Sequence, residues 1–339
     1  MPAVNIKQLA RELNLSISTV SRALSDSYDV SAQTRSKVLE LAKKLNYHPN
    51  PYASGLKRHN SKTIAIIVPE VANNFFSLAI NGIQSVAREK GYHVLIYLTH
   101  EDYEIEVEVV QHLQSGRVDG VLISLSGRTV DKTHLTELVR LGLPLVFFDR
   151  VCEEFDTAKV TTDDYDSGFK ATQHLIDRGC RRIAYLLVSK NLSIGIKRME
   201  GYMEALRKNK IPIDPKLIVN GSNDKERNYS LIQNLLKSNN RPDGIFASVE
   251  HLAITAYHVC NDMKLSIPND IKIISFSNLE TAPLLNPSLT TITQPAFNIG
   301  REAATILFKA LTKKQFKLSN QKTVLASELI ERNSTGSNC

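Results

Sequence analysis

The chain has 339 residues, 42% hydrophobic and 23% charged, a composition typical of a folded protein of two or three domains. No apolar run approaches the ~18 residues of a membrane span, and the first residues lack a secretory-signal layout, so we expect a cytoplasmic protein. The four cysteines are far apart and have no histidines clustered beside them, which disfavours zinc sites and disulfides. We therefore expect no metal and no cofactor.

The net charge of +7 is concentrated at the start of the chain. Residues 1–62 contain ten Lys or Arg against four Asp or Glu, a net charge of +6, whereas the remainder carries 32 against 31, a net charge of +1. A basic module followed by a nearly neutral body predicts a polyanion partner for the module alone.

Three short amphipathic helices are predicted in this module, which we assign to residues 1–49. Asn5, Ser16 and Ser31 can each cap one of them, and apolar residues recur at helical spacing after each cap. Asn14 and the leucine after it break the first pattern, so the first two helices are joined by a tight turn. The pattern is that of a helix-turn-helix domain.

Residues 50–62 are predicted to form a hinge helix and a polar linker. Asn50 can cap this helix and Pro51 can occupy its first position, but the helix has little to bury beyond Ala53 and Leu56. Because so short a helix is unstable alone in water, we expect it to order only when a partner holds it.

From Thr63 onward, continuous apolar strands alternate with amphipathic helices, which predicts parallel sheets covered on both faces. Nine strands exceed one six-stranded doubly wound sheet, so we expect two lobes with a ligand cleft beyond the carboxyl ends of the strands. The body would span 63–331, with a first lobe of about 63–161 and 293–331, a second of about 162–292, and a short polar tail at 332–339. The expected strands are Ile64–Val68, Val94–Leu98, Gly120–Ile123, Leu145–Phe148, Ile183–Val188, Leu217–Val219, Gly244–Ala247, Ile271–Phe276 and Thr290–Thr293.

The sequence resembles the lactose/galactose repressor (LacI/GalR) family. The residues that carry the resemblance include Asn5–Ala10, Leu15–Leu24 and Leu45–Asn50 in the module, and Asn73–Phe76, Val118–Val121, Arg198–Tyr202 and Leu289–Pro295 in the body. The resemblance implies an α/β protein with an N-terminal all-α helix-turn-helix DNA-binding domain and a two-lobed, doubly wound effector domain like the type I periplasmic binding proteins. It also implies a homodimeric transcriptional regulator, expected to be a repressor, whose affinity for a pseudo-palindromic operator responds to a sugar or sugar derivative.

The outer face of the second helix is the expected reader of the major groove. Ile17 would be wasteful on a solvated face but can meet thymine methyl groups, and the planar fork of Arg22 suits guanine. The resemblance makes Leu56 a wedge that enters the minor groove, with Ala53 allowing two such helices to pack and Lys57 meeting phosphates. The expected DNA-binding residues are Ser16, Ile17, Ser18, Thr19, Ser21, Arg22, Tyr47, Asn50, Ala53, Leu56 and Lys57.

The effector site is implied by the resemblance as well. Asp149 matches a position that accepts hydrogen bonds from ligand hydroxyls, and Arg198 matches an arginine that clamps hydroxyls or a carboxylate. A surface ion pair of Arg198 with Glu200 or Glu204 is the alternative interpretation. The expected effector-binding residues are Phe75, Phe76, Asp149, Arg198, Glu250, Ser277 and Asn278.

Two positions depart from the family's pattern. The chain has Ser277 and Asn278 where the family often has Asp-Asp, and Val249 and Glu250 where it often has Asn-Asp. Losing both an Asp and an Asn weakens the expectation of a simple neutral sugar. A modified or acidic ligand, met by Arg198, is left open.

Two other classes of protein share features with this sequence. The body alone would suit a solute-binding protein that delivers a sugar to a transporter, but the basic module and the start of the chain argue against it. An enzyme on a doubly wound fold has only fold analogy behind it, since the chain lacks the phosphate-loop, dinucleotide, zinc-protease and serine-hydrolase motifs. We expect no enzyme. The effector, the operator, the sign of regulation and any association beyond a dimer do not follow from the sequence.

Overall fold

The computed structural model describes residues 5–24, 29–47, 61–114, 117–129, 131–188, 192–222, 224–313 and 315–336. By their contacts, the residues divide into two compact units, Met1–Ser61 and Lys62–Cys339. The expected hinge residues Asn50, Ala53, Leu56 and Lys57 lie outside the described residues, so their roles stay predictions.

The described part of the first unit is a bundle of three helices, α1 (Ile6–Glu12), α2 (Ile17–Leu24) and α3 (Ala32–Lys44). The three expected caps are present: the side chains of Asn5, Ser16 and Ser31 accept hydrogen bonds from backbone N–H groups of the first helical turns. The helices enclose a small core made of Leu9, Ala10, Val20, Ala23, Val38 and Ala42.

The turn between α1 and α2 has a specific backbone cause. Asn14 has a φ of 51°, in the left-handed region that asparagine tolerates better than most residues. The Leu15 N–H then donates to the Ala10 carbonyl across 2.9 Å, and the Asn14 N–H donates to the Arg11 carbonyl across 3.2 Å. These two bonds form the Schellman motif that ends α1 and directs the chain into α2.

Six parallel strands of the described chain form the sheet of the first lobe. They are β1 (Thr63–Val68), β2 (His93–Leu98), β3 (Gly120–Ile123), β4 (Leu145–Phe148), β5 (Ala158–Thr162) and β11 (Lys322–Leu325). Their order across the sheet is β11-β5-β4-β3-β1-β2. The central strands β1, β3 and β4 are buried along their full length, as expected for a sheet covered on both faces.

The second lobe repeats this arrangement. Its strands are β6 (Ile183–Leu187), β7 (Ile218–Asn220), β8 (Gly244–Ala247), β9 (Lys272–Phe276), β10 (Thr290–Thr293) and β12 (Glu328–Ile330). The order is β12-β10-β9-β8-β6-β7, and the pairing is parallel except between β10 and β12. All nine expected strands are present to within one residue at each end, and β5, β11 and β12 are strands that the sequence analysis missed.

Helices cover both faces of both sheets. The first lobe contains α4 (Asn74–Glu89), α5 (Tyr103–Leu113), α6 (Thr133–Arg140) and α11 (Ala296–Thr312), and the second contains α7 (Asp164–Asp177), α8 (Ser193–Lys208), α9 (Lys225–Lys237) and α10 (Glu250–Asp262). In the first lobe α4 and α11 pack on one face of the sheet and α5 and α6 on the other. In the second lobe α9 and α10 oppose α7 and α8 in the same way.

The chain crosses between the lobes three times: after Thr162, after Thr293, and between Leu325 and Glu328. The expected assignment of residues 293–331 to the first lobe is therefore wrong at its end, because β12 pairs antiparallel with β10 of the second lobe. The first and third crossings are joined by the Ser327 N–H, which donates to Asp163 Oδ1 across 2.7 Å.

The expected polar tail at 332–339 is also wrong as far as Gly336, where the described chain ends. Ser334 and Thr335 are fully buried in the second lobe. The Ser334 hydroxyl donates to the Ile273 carbonyl across 2.6 Å and accepts from the Thr290 N–H across 2.8 Å. These hydroxyl groups satisfy strand atoms of β9 and β10, which a composition-based interpretation of a polar segment does not anticipate.

Within the residues that the structure describes, no helix is both long enough and apolar enough to span a membrane.

Candidate functional site: a recognition helix and an interlobe cleft

The first candidate site is the outer face of α2. Val20 and Ala23 are buried in the core of the bundle, which turns the other side of the helix to solvent. Ser16, Ile17, Ser18, Ser21 and Arg22 are exposed, and Thr19 is half-buried. Ile17 has 46% of its surface exposed although it is a large apolar residue. The side chains expected to contact the major groove are therefore accessible to solvent in the folded domain.

Hydroxyl groups order the start of this face. Ser16 Oγ lies 2.7 Å from Ser18 Oγ and 2.8 Å from Thr19 Oγ1, and it accepts the Thr19 N–H across 3.1 Å. Tyr47, also expected at the interface, is half-buried against the core of the bundle, and this burial raises the pKa of its hydroxyl. Its position is fixed by Asn46, whose φ of 49° lets the Tyr47 N–H donate to the Ala42 carbonyl across 2.8 Å.

The second candidate site is a cleft between the two lobes of the body, at the carboxyl ends of the parallel strands. All seven expected effector-binding residues line it. Seven further residues line the same cleft, namely Asn73, Arg150, Ile194, Ser248, Val249, Phe276 and Gln294. The first lobe contributes the start of α4 and the end of β4, and the second contributes α8 and the segments after β8 and β9.

Arg198 is held from three sides. Its Nε donates to Asp164 Oδ1 across 2.7 Å, its Nη1 donates to the Ser248 carbonyl across 2.7 Å, and its guanidinium lies 3.7 Å from the centroid of the Phe276 ring. Arg198 is only 2% exposed. The expected alternative, a surface ion pair with Glu200 or Glu204, is wrong, since Arg198 is buried and its ion pair is with Asp164.

Burial shifts the acids of the cleft. Desolvation raises the pKa of Asp164 to about 6, against the opposing attraction of Arg198. Desolvation also raises the pKa of Asp149, opposed by Arg150 and Arg198. Asp149 has a φ of 60°, so its backbone adopts the left-handed conformation directly after β4. Such strain at a cleft residue is typical of functional positions.

Arg150 belongs to the first lobe and has its own acid. Its Nη1 donates to both carboxylate oxygens of Glu101, across 2.7 and 2.8 Å, and its guanidinium lies 5.5 Å from the centroid of the Phe76 ring. Glu101 Oε2 also accepts the Gly127 N–H across 2.6 Å. Arg150 was not among the expected effector-binding residues, and no local pattern pairs it with Glu101, which is 49 residues away.

The two departures from the family's pattern come together in the second lobe. The Ser277 hydroxyl donates to Glu250 Oε2 across 2.9 Å, and the Asn278 side-chain amide donates to the Gln294 carbonyl across 2.7 Å. The chain thus has a carboxylate at the start of α10, and a hydroxyl after β9 that orients it.

Three buried polar atoms at the cleft have no hydrogen-bond partner among the described residues: Arg198 Nη2, Arg150 Nε and Asn278 Oδ1. Buried polar atoms are rarely left unpaired in folded proteins. Two donors and one acceptor at the lining of one cleft match the hydroxyl groups of a polyhydroxylated ligand, since each hydroxyl both donates and accepts.

Comparisons with known proteins agree with this division of the chain. Residues 5–50 match the family of bacterial regulatory proteins, lacI family, and residues 172–335 match the periplasmic binding protein-like domain. The chain is 31% identical over 313 residues to catabolite control protein A of Priestia megaterium, which covers 91% of this chain and 93% of that protein. The chain belongs to the lacI family of bacterial regulatory proteins.

Solved structures of other regulators are similar to this LacI-family chain over most or nearly all of its length. A transcriptional regulator CelR–cellobiose complex is 26% identical with a TM-score of 0.74, and the match covers 98% of this chain and 99% of that one. A LacI family transcriptional regulator from Enterococcus faecium with bound ribose is 27% identical with a TM-score of 0.71, covering 81% of this chain and 98% of that one. The α1–α3 unit is accordingly the DNA-binding domain of a transcriptional regulator, and the two-lobed unit is its effector domain.

Proposed function

We propose that this LacI-family regulator is a cytoplasmic repressor that binds a pseudo-palindromic operator as a homodimer. A small polyhydroxylated ligand that binds in the cleft either lowers or raises the affinity of the protein for the operator. The observation that carries the proposal is that one chain contains both an exposed Ile17–Arg22 face and a cleft lined by residues with buried polar atoms that have no hydrogen-bond partner among the described residues. A lac repressor dimer bound to its operator shares the fold, with a TM-score of 0.84 at 22% identity.

In this proposal α2 lies in the major groove. Ile17 and Ser18 contact base edges, Arg22 donates to guanine O6 and N7, and the hydroxyls of Ser16, Thr19 and Ser21 meet phosphates or bases. Tyr47 and Asn50 contact the backbone beside the groove. The hinge segment with Ala53, Leu56 and Lys57 enters the minor groove between paired subunits.

The ligand is proposed to be a sugar or sugar derivative. Two similar regulators have solved structures with bound cellobiose and with bound ribose, and the cleft offers the donors and acceptors that sugar hydroxyls require. Phe75 and Phe76 supply apolar surface for the ring faces. Asp149, Arg198, Glu250, Ser277 and Asn278 supply the polar contacts.

The DNA half is tested by selecting duplexes from fragmented genomic DNA with the full chain, then measuring affinity for the enriched sequence at several salt concentrations. We expect Arg22→Ala to weaken specific binding by about 5- to 150-fold, the equivalent of ~1–3 kcal/mol for one bidentate base contact. The control is Arg207→Ala, which removes the same charge from an exposed position of the body. Equal losses in both variants, or no enriched sequence, would contradict the proposal.

A further inference from the structure

The arginines of the cleft are already neutralised by carboxylates of the chain. Each of its two arginines already has a carboxylate of the chain: Arg198 donates to Asp164, and Arg150 donates to both oxygens of Glu101. Neither guanidinium therefore offers an uncompensated positive charge to a ligand. The free Nη2 of Arg198 is a hydrogen-bond donor to a neutral oxygen rather than a counter-ion for an anion.

Helix N-termini are the other common anion-binding groups, and here the chain's own acids occupy two of them. α7 begins at Asp164 and α10 begins at Glu250, and neither helix has a side-chain hydrogen bond at its N-cap. The partial positive charge at the start of a helix attracts anions. Asp164 is buried against Arg198, but Glu250 lines the cleft, so a phosphate or carboxylate ligand at the start of α10 would meet its negative charge.

Two carboxylates of the cleft, those of Asp149 and Glu250, accept no hydrogen bond from a charged donor within the described residues. Within the described residues, the contacts of Asp149 are Gln294 Nε2 at 3.5 Å and Arg150 Nε at 3.9 Å. Glu250 is half-buried, and its hydrogen bond comes from a neutral hydroxyl, that of Ser277. A third acid, Glu70, is close enough to interact with Glu250: burial and the negative charges of Glu101 and Glu250 raise its pKa, opposed by Arg150 and His100.

We propose, building on the proposed function, that the cleft selects a polyhydroxylated ligand carrying a protonated amine, such as an amino sugar, and rejects anionic sugars. Glu250 is the specificity-determining residue, with Ser277 holding its carboxylate in place. The amine donates to Glu250, the hydroxyls satisfy Arg198 Nη2 and Asn278 Oδ1, and the ring lies against Phe75 and Phe76. The acidic ligand left open by the sequence is thereby disfavoured, because Arg198 is already neutralised.

The test uses sets of three related sugars, one neutral, one cationic and one anionic, in which the charged group replaces a hydroxyl or hydroxymethyl group of the neutral sugar. The full chain is screened by thermal shift and then by calorimetric titration with triplets of a neutral sugar, its amine and its acid, for example glucose, glucosamine and glucuronate, with parallel sets built on galactose and mannose. We expect the amine of at least one set to bind about tenfold or more tightly than the neutral sugar, as for a hydrogen bond to a charged group. The acid of that set should bind most weakly.

Glu250→Gln removes the charge but keeps an oxygen that can accept the Ser277 hydroxyl. We expect the ratio of the amine's affinity to the neutral sugar's affinity to fall by about tenfold, whatever loss the two ligands share, because only the amine loses a charged acceptor. The ratio of two affinities in one variant cancels any general effect on folding. Glu226→Gln, an exposed acid in the first turn of the neighbouring helix α9, is the matched control and should keep the preference.

The possible outcomes test the charge preference, the role of Glu250 and the sugar effector separately. Tightest binding by the neutral sugar or by the acid overturns the inference but supports a sugar effector. A preference that survives Glu250→Gln overturns the role of Glu250. Absence of binding by every triplet overturns the inference together with the proposed sugar effector, while the DNA experiment with Arg22→Ala still stands by itself.

Discussion

Arg198 and Asp164 form a buried pair, with 2.7 Å between Nε and Oδ1 and less than a tenth of either side chain exposed. Burial raises the pKa of Asp164 from its usual 3.8 to about 6 in spite of this contact. The folded protein therefore binds a proton at Asp164 more readily than the unfolded chain does. Linkage then requires that this residue's contribution to stability falls as the pH rises from about 4 to about 6.

We predict that Asp164→Asn flattens the pH dependence of the melting temperature between pH 4 and 6 relative to the unmodified chain. Asparagine keeps an oxygen that accepts the Arg198 Nε–H but does not titrate. Asp177→Asn, an exposed acid at the other end of the same helix, serves as the control and should leave the profile unchanged. Identical profiles for Asp164→Asn and the unmodified chain would show that Asp164 does not titrate in this range.

The close packing of α7 and α8 around this pair depends on Gly201. A Cβ at Gly201 would collide with the Tyr165 carbonyl oxygen and would lie 2.6 Å from the Phe169 nitrogen. We predict that Gly201→Ala pushes the helices apart and destabilises the body by ~1–3 kcal/mol, the usual effect of overpacking. The melting temperature measures this, and Glu200→Ala, exposed on the same helix, should leave it nearly unchanged.

Much of the fold followed from the sequence because its signal is local. The buried strands β1, β3 and β4 are short apolar runs, and the caps at Asn5, Ser16 and Ser31 precede periodic apolar residues. The missed strands lack that signal. β5 contains a lysine and two threonines, and β11 is an edge strand with partly exposed side chains, so their pairing is decided by tertiary contacts.

The candidate site was predictable in membership but not in its connections. All seven expected effector residues line one cleft, because the resemblance located them after strands and on one helix. The pairs Arg198–Asp164 and Arg150–Glu101 join residues 34 and 49 positions apart, which no local pattern reveals. Those pairs neutralise the arginines of the cleft, so the charge of the ligand, unlike its sugar class, could be proposed only from the structure.

The helical bundle has a small core and should respond strongly to one cavity. Leu9 is fully buried, and we predict that Leu9→Ala destabilises the bundle by ~2–5 kcal/mol. Circular dichroism and calorimetry should show an earlier transition for the first unit and an unchanged one for the body. Leu39→Ala removes the same atoms from a leucine that is 45% exposed on α3 and should cost far less. Equal effects of the two variants would contradict the observed packing.

The hinge prediction rests on the sequence alone. Leu56→Ala is expected to weaken binding to the selected operator by about tenfold or more, since a buried leucine side chain contributes ~1.5–3 kcal/mol. The melting temperature of the body should stay the same. Leu141→Ala, at a position 58% exposed in the body, is the matched control. Unchanged operator affinity in Leu56→Ala would remove the proposed wedge.

The central claim is that one chain couples the cleft to the DNA-reading helix. Its most direct test is fluorescence anisotropy of the selected operator with the full chain, with and without the sugar or amino sugar that gives the largest melting shift. We predict that saturating ligand changes the operator Kd by about 5- to 150-fold, and that operator changes the ligand Kd by the same factor, because coupling is reciprocal. Equal operator affinity with and without bound ligand would contradict the account.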